Sequence, residues 1–132
     1  TYWTFSNAVA VVGGSGAIVH AKCLVEVTAQ AHRVSLYLYS VVPTSVLNDN
    51  EASTAPVWAD RAGYIGKITF PSLSDKGVVS ETEVNPGEGG LPKPFKCAEG
   101  NRDIYGILIT EDAFTNETAG NDYLINLLID QN

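Results

Sequence analysis

Positive charge is scarce in this sequence. The 132 residues include eight Lys and Arg against fifteen Asp and Glu, which gives a formal net charge of -7. The basic residues stand singly between Lys22 and Arg102. Because affinity for phosphate backbones comes from clustered positive charge, we expect no nucleic-acid partner.

Long apolar runs are missing as well. The longest, residues 8–12, has about five residues, far short of the roughly 20 that a membrane-spanning helix needs. No basic segment precedes it, so it does not have the pattern of a signal peptide. The sequence therefore predicts no membrane partner.

Cysteine and histidine, the residues of many catalytic and metal sites, number two each. Cys23 and Cys97 lack the CxxC spacing of a zinc or redox site, and His20 and His32 stand in no ligand spacing with carboxylates or thiols. The sequence also lacks a Gly-x-Ser-x-Gly nucleophile elbow. These absences predict a protein that is not an enzyme and that holds no metal and no cofactor.

The two cysteines allow two interpretations. A Cys23–Cys97 disulfide would close a loop of about 75 residues and stabilise the fold by on the order of 4 kcal/mol. Alternatively, Cys23 is a small buried hydrophobe on the apolar face of a strand. The residues alone leave both interpretations open.

The sequence is rich in alternation between apolar and polar side chains, which is typical of strands with one buried face. Nine strands are predicted, at residues 2–5, 8–12, 17–28, 33–41, 64–70, 78–84, 93–98, 104–110 and 123–129. Clusters of Gly and Pro separate many of them. The pattern predicts a single domain over residues 1–132: an all-β, antiparallel β-sandwich of eight or nine strands, of jelly-roll type.

In two of these predicted strands, the alternation identifies the side chains that face the core. In residues 17–28 the predicted core side chains are Val19, Ala21, Cys23, Val25 and Val27, with His20, Lys22 and Glu26 on the other face. In residues 33–41 they are Val34, Leu36 and Leu38, with Arg33, Ser35, Tyr37 and Tyr39 opposite.

Three segments depart from this alternation. Residues 104–109 and 123–129 are apolar at almost every position, which is typical of a central strand or of one covered by another subunit. Residues 43–63 have no strand pattern and form a connection of unusual length. We expect a functional excursion or an interface arm there, with one helical turn in residues 56–62.

The aromatic residues offer two kinds of binding. Trp3, Trp58, Tyr37, Tyr39, Tyr64 and Tyr105 are able to stack on sugar rings, and Tyr37 with Tyr39 on one strand face is the best pair. The same residues, Trp58 among them, suit an intersubunit contact, because aromatics are enriched in interfaces. Residues 48–51 offer oxygen ligands for calcium, and residues 116–118 fit the N-glycosylation pattern, although such stretches are more often plain surface loops.

Several segments together resemble a family of small structural proteins of tailed bacteriophages. They occur in order between residue 33 and the end of the chain: LYLYSVVPTSVLNDN at 36–50, AGYIGKITFP at 62–71, LPKPF at 91–95, IYGILIT at 104–110 and AFT at 113–115. The resemblance is one of overall pattern and carries no active-site signature.

The resemblance implies a virion component on the exterior of the capsid. Such a decoration or cement protein binds the major capsid protein, and by the same analogy it forms a homotrimer. The alternative is a carbohydrate- or receptor-binding module of a phage fibre, of a tail or of a secreted protein. It predicts a coplanar, solvent-exposed aromatic pair, whereas the virion function predicts aromatics buried between subunits.

Overall fold

Strands dominate the folded chain. A computed structural model describes residues 2–26, 31–44, 57–112 and 123–131. Within these ranges it has nine strands: β1 (Trp3–Phe5), β2 (Ser15–Val25), β3 (Val34–Tyr39), β4 (Tyr64–Thr69), β5 (Ser74–Asp75), β6 (Ser80–Val84), β7 (Lys93–Lys96), β8 (Ile104–Thr110) and β9 (Tyr123–Gln131). A short 3-10 helix, Trp58–Asp60, precedes β4.

The strands form two antiparallel sheets. The four-stranded sheet has the order β1-β8-β3-β4. In the five-stranded sheet, β2 pairs with β9 along one edge. Along its other edge β2 pairs with β7 through its first residues and with β6 through its last. β5 pairs with the free edge of β6. The all-β sandwich predicted from the alternation is confirmed, whereas this strand order does not establish a jelly roll.

The core lies between the two sheets. Val34, Leu36 and Leu38 of β3 are fully buried in it, as predicted. Ala21, Cys23 and Val25 of β2 meet them from the five-stranded sheet. The opposite face of β3 is not exposed, however, because Ser35 and Tyr39 are also fully buried.

One predicted core residue of β2, Val19, is not in the core. The pairing of β2 with β9 shifts between Ile18 and His20, so that Val19 is an extra residue in the ladder. Such a bulge interrupts the alternation by one position and turns the following side chains to the other face. Ile18 is therefore fully buried together with Ala21, and Val19 is half-buried outside the core cluster. Val27 lies outside the described residues.

The strand predicted at residues 8–12 is wrong. This segment is a compact turn in which Gly14 N donates to Val11 O at 2.8 Å. Gly13 adopts a positive φ of 70°, which glycine reaches at little cost, and the chain reverses there. Val9 is buried, but Val11 and Val12 are exposed.

The two fully apolar segments have different positions. β8 lies between β1 and β3, so it is a central strand, the first of the two alternatives predicted for it. β9 pairs with β2 alone among the described strands, and Leu124 and Leu128 on its outer face are exposed. Its apolar outer face is therefore uncovered within the described part of the monomer.

The long connection contains the expected helical turn, since Trp58–Asp60 lies within residues 56–62. Residues 45–56, with the candidate calcium ligands, and residues 113–122, with the glycosylation pattern, lie outside the described residues. Among the residues that are described, no helix has the length and apolar character to cross a membrane.

Candidate functional site

Five tyrosines lie together on the outer face of the four-stranded sheet. Tyr39 of β3 is directly opposite Tyr105 of β8 on one side and Tyr64 of β4 on the other. The Tyr39 and Tyr64 ring centroids are 5.5 Å apart, and Tyr64 stacks on Tyr37 at 6.3 Å with an interplanar angle of 26°. Tyr2 meets Tyr105 edge to face at 5.8 Å. We call these five residues the tyrosine band.

The centre of the band is buried and contains two hydroxyl groups with no hydrogen-bond partner among the described residues. Tyr39 is 0% exposed, and its Oη has no hydrogen-bond partner in the part of the chain that the structure describes. Ser35 Oγ, on the same face of β3, is also buried, and no described residue forms a hydrogen bond with it. Burial, and then the nearby charge of Asp60, raises the pKa of Tyr39 to about 12. Native proteins seldom leave buried hydroxyls unpaired, so this face has unmet hydrogen-bonding capacity.

The edges of the band are more accessible. Tyr37, Tyr64 and Tyr105 are half-buried. Lys67 Nζ lies 5.9 Å from the centroid of the Tyr37 ring, and Asn101 Nδ2 donates to Tyr105 Oη at 3.0 Å. Tyr37 and Tyr105 therefore each interact with a neighbouring polar side chain.

Next to the band, residues 57–63 form a turn that presents Trp58. Its side chain is 78% exposed, and the guanidinium of Arg61 lies 4.5 Å from the ring centroid. Arg61 Nη1 also donates to Trp58 O at 2.9 Å, which holds the cation over one face of the indole. The other face is available to a partner. We call residues 57–63 the Trp58 turn.

A buried carboxylate anchors this turn. Asp60 is nearly inaccessible, and its Oδ1 accepts hydrogen bonds from Thr44 N at 2.9 Å and from Thr44 Oγ1 at 2.7 Å. Ser40 N donates to Gly63 O at 2.7 Å at the other end of the turn. An exposed indole on a turn held at both ends is pre-organised for contact, because little entropy remains to be lost on binding.

The structure brings the predicted aromatic residues Tyr37 and Tyr39 to one face, but not as an exposed pair. Tyr37 and Tyr39 share the outer face, but Tyr39 is completely covered and Tyr37 stacks with Tyr64 instead. The exposed Tyr37–Tyr39 pair that a sugar platform requires is therefore absent. Trp3 faces inward, where it packs against the core. Trp58 is exposed, as a contact residue must be in the free protein.

Sequence reasoning missed Tyr2, Asp60 and Arg61. Tyr2 is brought to the band by the β1–β8 register, which a strand of three residues does not predict. Asp60 and Arg61 stand two and three positions after Trp58, a spacing that one helical turn places close together. The helical turn predicted at residues 56–62 was the available signal for them.

The cysteines do not form a disulfide. Both are buried free thiols, and burial raises the pKa of Cys23 to about 12. Lys96 pairs with Ser15, which places Cys97 beside Gly14, nine positions from Cys23 along β2. At about 3.3 Å a residue this separation approaches 30 Å, whereas bonded cysteines have Cα atoms within about 7 Å.

The outer face of the five-stranded sheet has no comparable aromatic cluster among its described residues. His20 Nε2 lies 3.3 Å from Glu83 Oε2, so His20 is a surface strand residue, as predicted. Leu24 of β2 is opposite Leu124 of β9 on this face. Over the four described ranges, no group of three or more His, Cys, Asp or Glu has the geometry to hold a metal ion.

Comparisons with protein-family models, with curated proteins and with solved structures found no match to this chain.

Proposed function

We propose that this chain is a structural protein of a tailed-bacteriophage virion. It sits on the capsid exterior and binds the major capsid protein without catalysing a reaction. The observation that supports this most is Trp58, 78% exposed on an anchored turn beside the tyrosine band. The resemblance of residues 36–50 and 62–71 to phage structural proteins supplies the identity of the partner.

The composition of this surface suits a protein partner. Trp, Tyr and Arg dominate the residues whose truncation most weakens protein interfaces, typically by about 2 kcal/mol or more each. The Trp58 turn and the tyrosine band bring all three together within one area of the four-stranded sheet.

The mechanism is thermodynamic linkage. A protein that contacts several capsid subunits at once binds the assembled shell and not the free subunits. Such binding stabilises the shell by RT ln(1 + [L]/Kd), about 2.7 kcal/mol per site when the free protein is at about 100 times its Kd. The shell then withstands a higher internal pressure.

The test is co-sedimentation of the purified chain with capsids that lack it. We expect saturable binding of the wild type, and Trp58→Ala to weaken it by about 30-fold, equivalent to about 2 kcal/mol. Val78→Ala is the matched control, since Val78 is equally exposed but lies on the connection between β5 and β6. Absence of wild-type binding would refute the proposed function, and equal binding of both variants would refute the role of Trp58.

A glycan-binding function is the second candidate, and one observation favours it. Tyr37 and Tyr64 are half-buried and stack on each other with an interplanar angle of 26°. Sugar rings stack on such surfaces. A glycan array separates the two functions: glycan binding that is lost in Tyr37→Ala, together with no capsid binding, would replace the virion function.

A further inference from the structure

Most sheet edges in the described residues are protected against pairing with another chain. β1 has three residues and β5 has two. β7 carries Lys93, Pro94 and Lys96, and β4 carries Lys67 with a register irregularity. Short length, charge, proline and bulges are the usual means by which proteins keep sheet edges from self-association.

β9 has none of these protections over most of its length. It has nine residues, and residues 123–129 contain no charge, proline or glycine. It pairs with β2 along one side, and no strand in the described ranges pairs with the other. Leu124 is 53% and Leu128 60% exposed on its outer face.

The sequence of this edge is also self-complementary. Residues 123–129 read Tyr-Leu-Ile-Asn-Leu-Leu-Ile, so that Asn126 is flanked symmetrically by apolar residues. In an antiparallel pair of identical strands centred on Asn126, Leu124 is opposite Leu128 of the second copy, and Ile125 is opposite its Leu127. Each of these pairs joins two apolar side chains, and at the centre the Asn126 side chains of the two copies are opposite each other.

Neighbouring registers lose this match. The neighbouring registers that keep the same side chains on the outer face differ from this one by a shift of two residues. One such shift sets Leu124 opposite Asp130 and Leu128 opposite Asn126, and the other sets Leu124 opposite Asn126. On the outer face, only the register centred on Asn126 of these three pairs leucine with leucine.

We propose that β9 pairs with β9 of a second copy across a two-fold axis at Asn126, which joins two five-stranded sheets into one. The second copy is the occupant because only an identical strand necessarily brings the complementary sequence. Electrostatics agree, since two chains of formal charge -7 approach with least repulsion along an uncharged segment. The pairing uses the sheet opposite the Trp58 turn and does not depend on the proposed function.

The native mass from light scattering on a sizing column is the first measurement. We expect a dimer that strengthens with added salt. Leu128→Glu should weaken it by about 30-fold or more, because the change occurs twice in a two-fold pair. Val78→Glu, at a position 79% exposed on a different surface, should leave the dimer intact. A wild-type monomer would overturn the proposal, and so would a trimer, because a two-fold edge pair closes at two copies.

Cysteine cross-linking tests the register. Asn126→Cys should form a covalent dimer under mild oxidation, because directly opposed residues have Cα atoms about 4.5–5.5 Å apart, within disulfide range. Leu124→Cys alone should not, since its counterpart is four positions away, about 14 Å. A mixture of Leu124→Cys and Leu128→Cys chains should cross-link again.

The native thiols do not interfere with this assay, because Cys23 and Cys97 are buried and their pKa values are raised by burial. A dimer in which Asn126→Cys fails to cross-link, or in which Leu124→Cys cross-links to itself, would overturn the two-fold register. Cross-linking of Asn126→Cys and of the mixture, without self-linking of Leu124→Cys, would support it.

Discussion

Replacing Tyr39 with phenylalanine should stabilise the free protein. A Tyr→Phe change in a core usually removes a hydrogen bond and lowers stability, but Tyr39 Oη is buried and has no partner among the described residues. Leaving a buried hydroxyl unpaired costs roughly 1–3 kcal/mol, and Tyr39→Phe removes that cost while keeping the ring contact with Tyr64. We expect a gain of about 1–2 kcal/mol.

The gain should depend on pH. Because the pKa of Tyr39 is raised to about 12, the folded state holds the phenolic proton more tightly than the unfolded state, whose tyrosines titrate near 10. The stabilising effect of that proton is complete below pH 10 and is lost as the pH rises from 10 to 12. A shift of two pKa units corresponds to about 2–3 kcal/mol, so the wild type should lose stability in this window. The Tyr39→Phe variant should lose less stability over the same pH range.

The assay is guanidinium unfolding followed by circular dichroism, at neutral pH and in steps between pH 10 and 12. Tyr105→Phe is the matched control, because Tyr105 lies opposite Tyr39 but accepts a hydrogen bond from Asn101. That variant should lose about 1 kcal/mol. If Tyr39→Phe instead destabilises the protein as much as the control does, Tyr39 Oη is hydrogen-bonded and the reasoning is refuted.

Two further predictions concern backbone packing and the Trp58 turn. Gly89→Ala should lower the free energy of unfolding by about 3 kcal/mol more than Gly100→Ala does. Both glycines have a positive φ, but only at Gly89 would a Cβ lie 2.5 Å from Thr69 O. Equal melting temperatures of the two variants would contradict this. Thr44→Val removes a hydroxyl that donates to buried Asp60, so it should lower the free energy of unfolding in urea by about 1–2 kcal/mol. It should also weaken capsid binding. Unchanged stability would show that this hydrogen bond does not anchor the turn.

Much of the fold was predictable because strand alternation is a local signal. The ends of β8 match the prediction, and β2, β3 and β4 differ from it by a few residues at their ends. The two failures have different causes, one local and one distant in sequence. Residues 8–12 are apolar but form a turn, because glycines follow them at once. Val19 left the core because a bulge depends on pairing with β9, more than one hundred positions away.

The candidate site was predictable only in part. Residue type alone indicates Trp58 and Tyr37 as contact residues, and the sequence predicts one helical turn around Trp58. Whether an aromatic on a strand is covered depends on what lies above it, and a strand pattern does not contain that information. Tyr39 was therefore expected on a polar face, whereas it is the buried centre of the tyrosine band.

The sequence by itself determined the all-β class, because the two-residue period is a property of each strand alone. It also determined the acidity of the chain and the apolar, self-complementary segment at residues 123–129. The tertiary structure decided which of two equally apolar segments became a central strand and which became an edge. Position in a sheet is decided by pairing between residues distant in sequence, so only the folded chain shows that β8 lies between β1 and β3 while β9 presents its leucines to solvent.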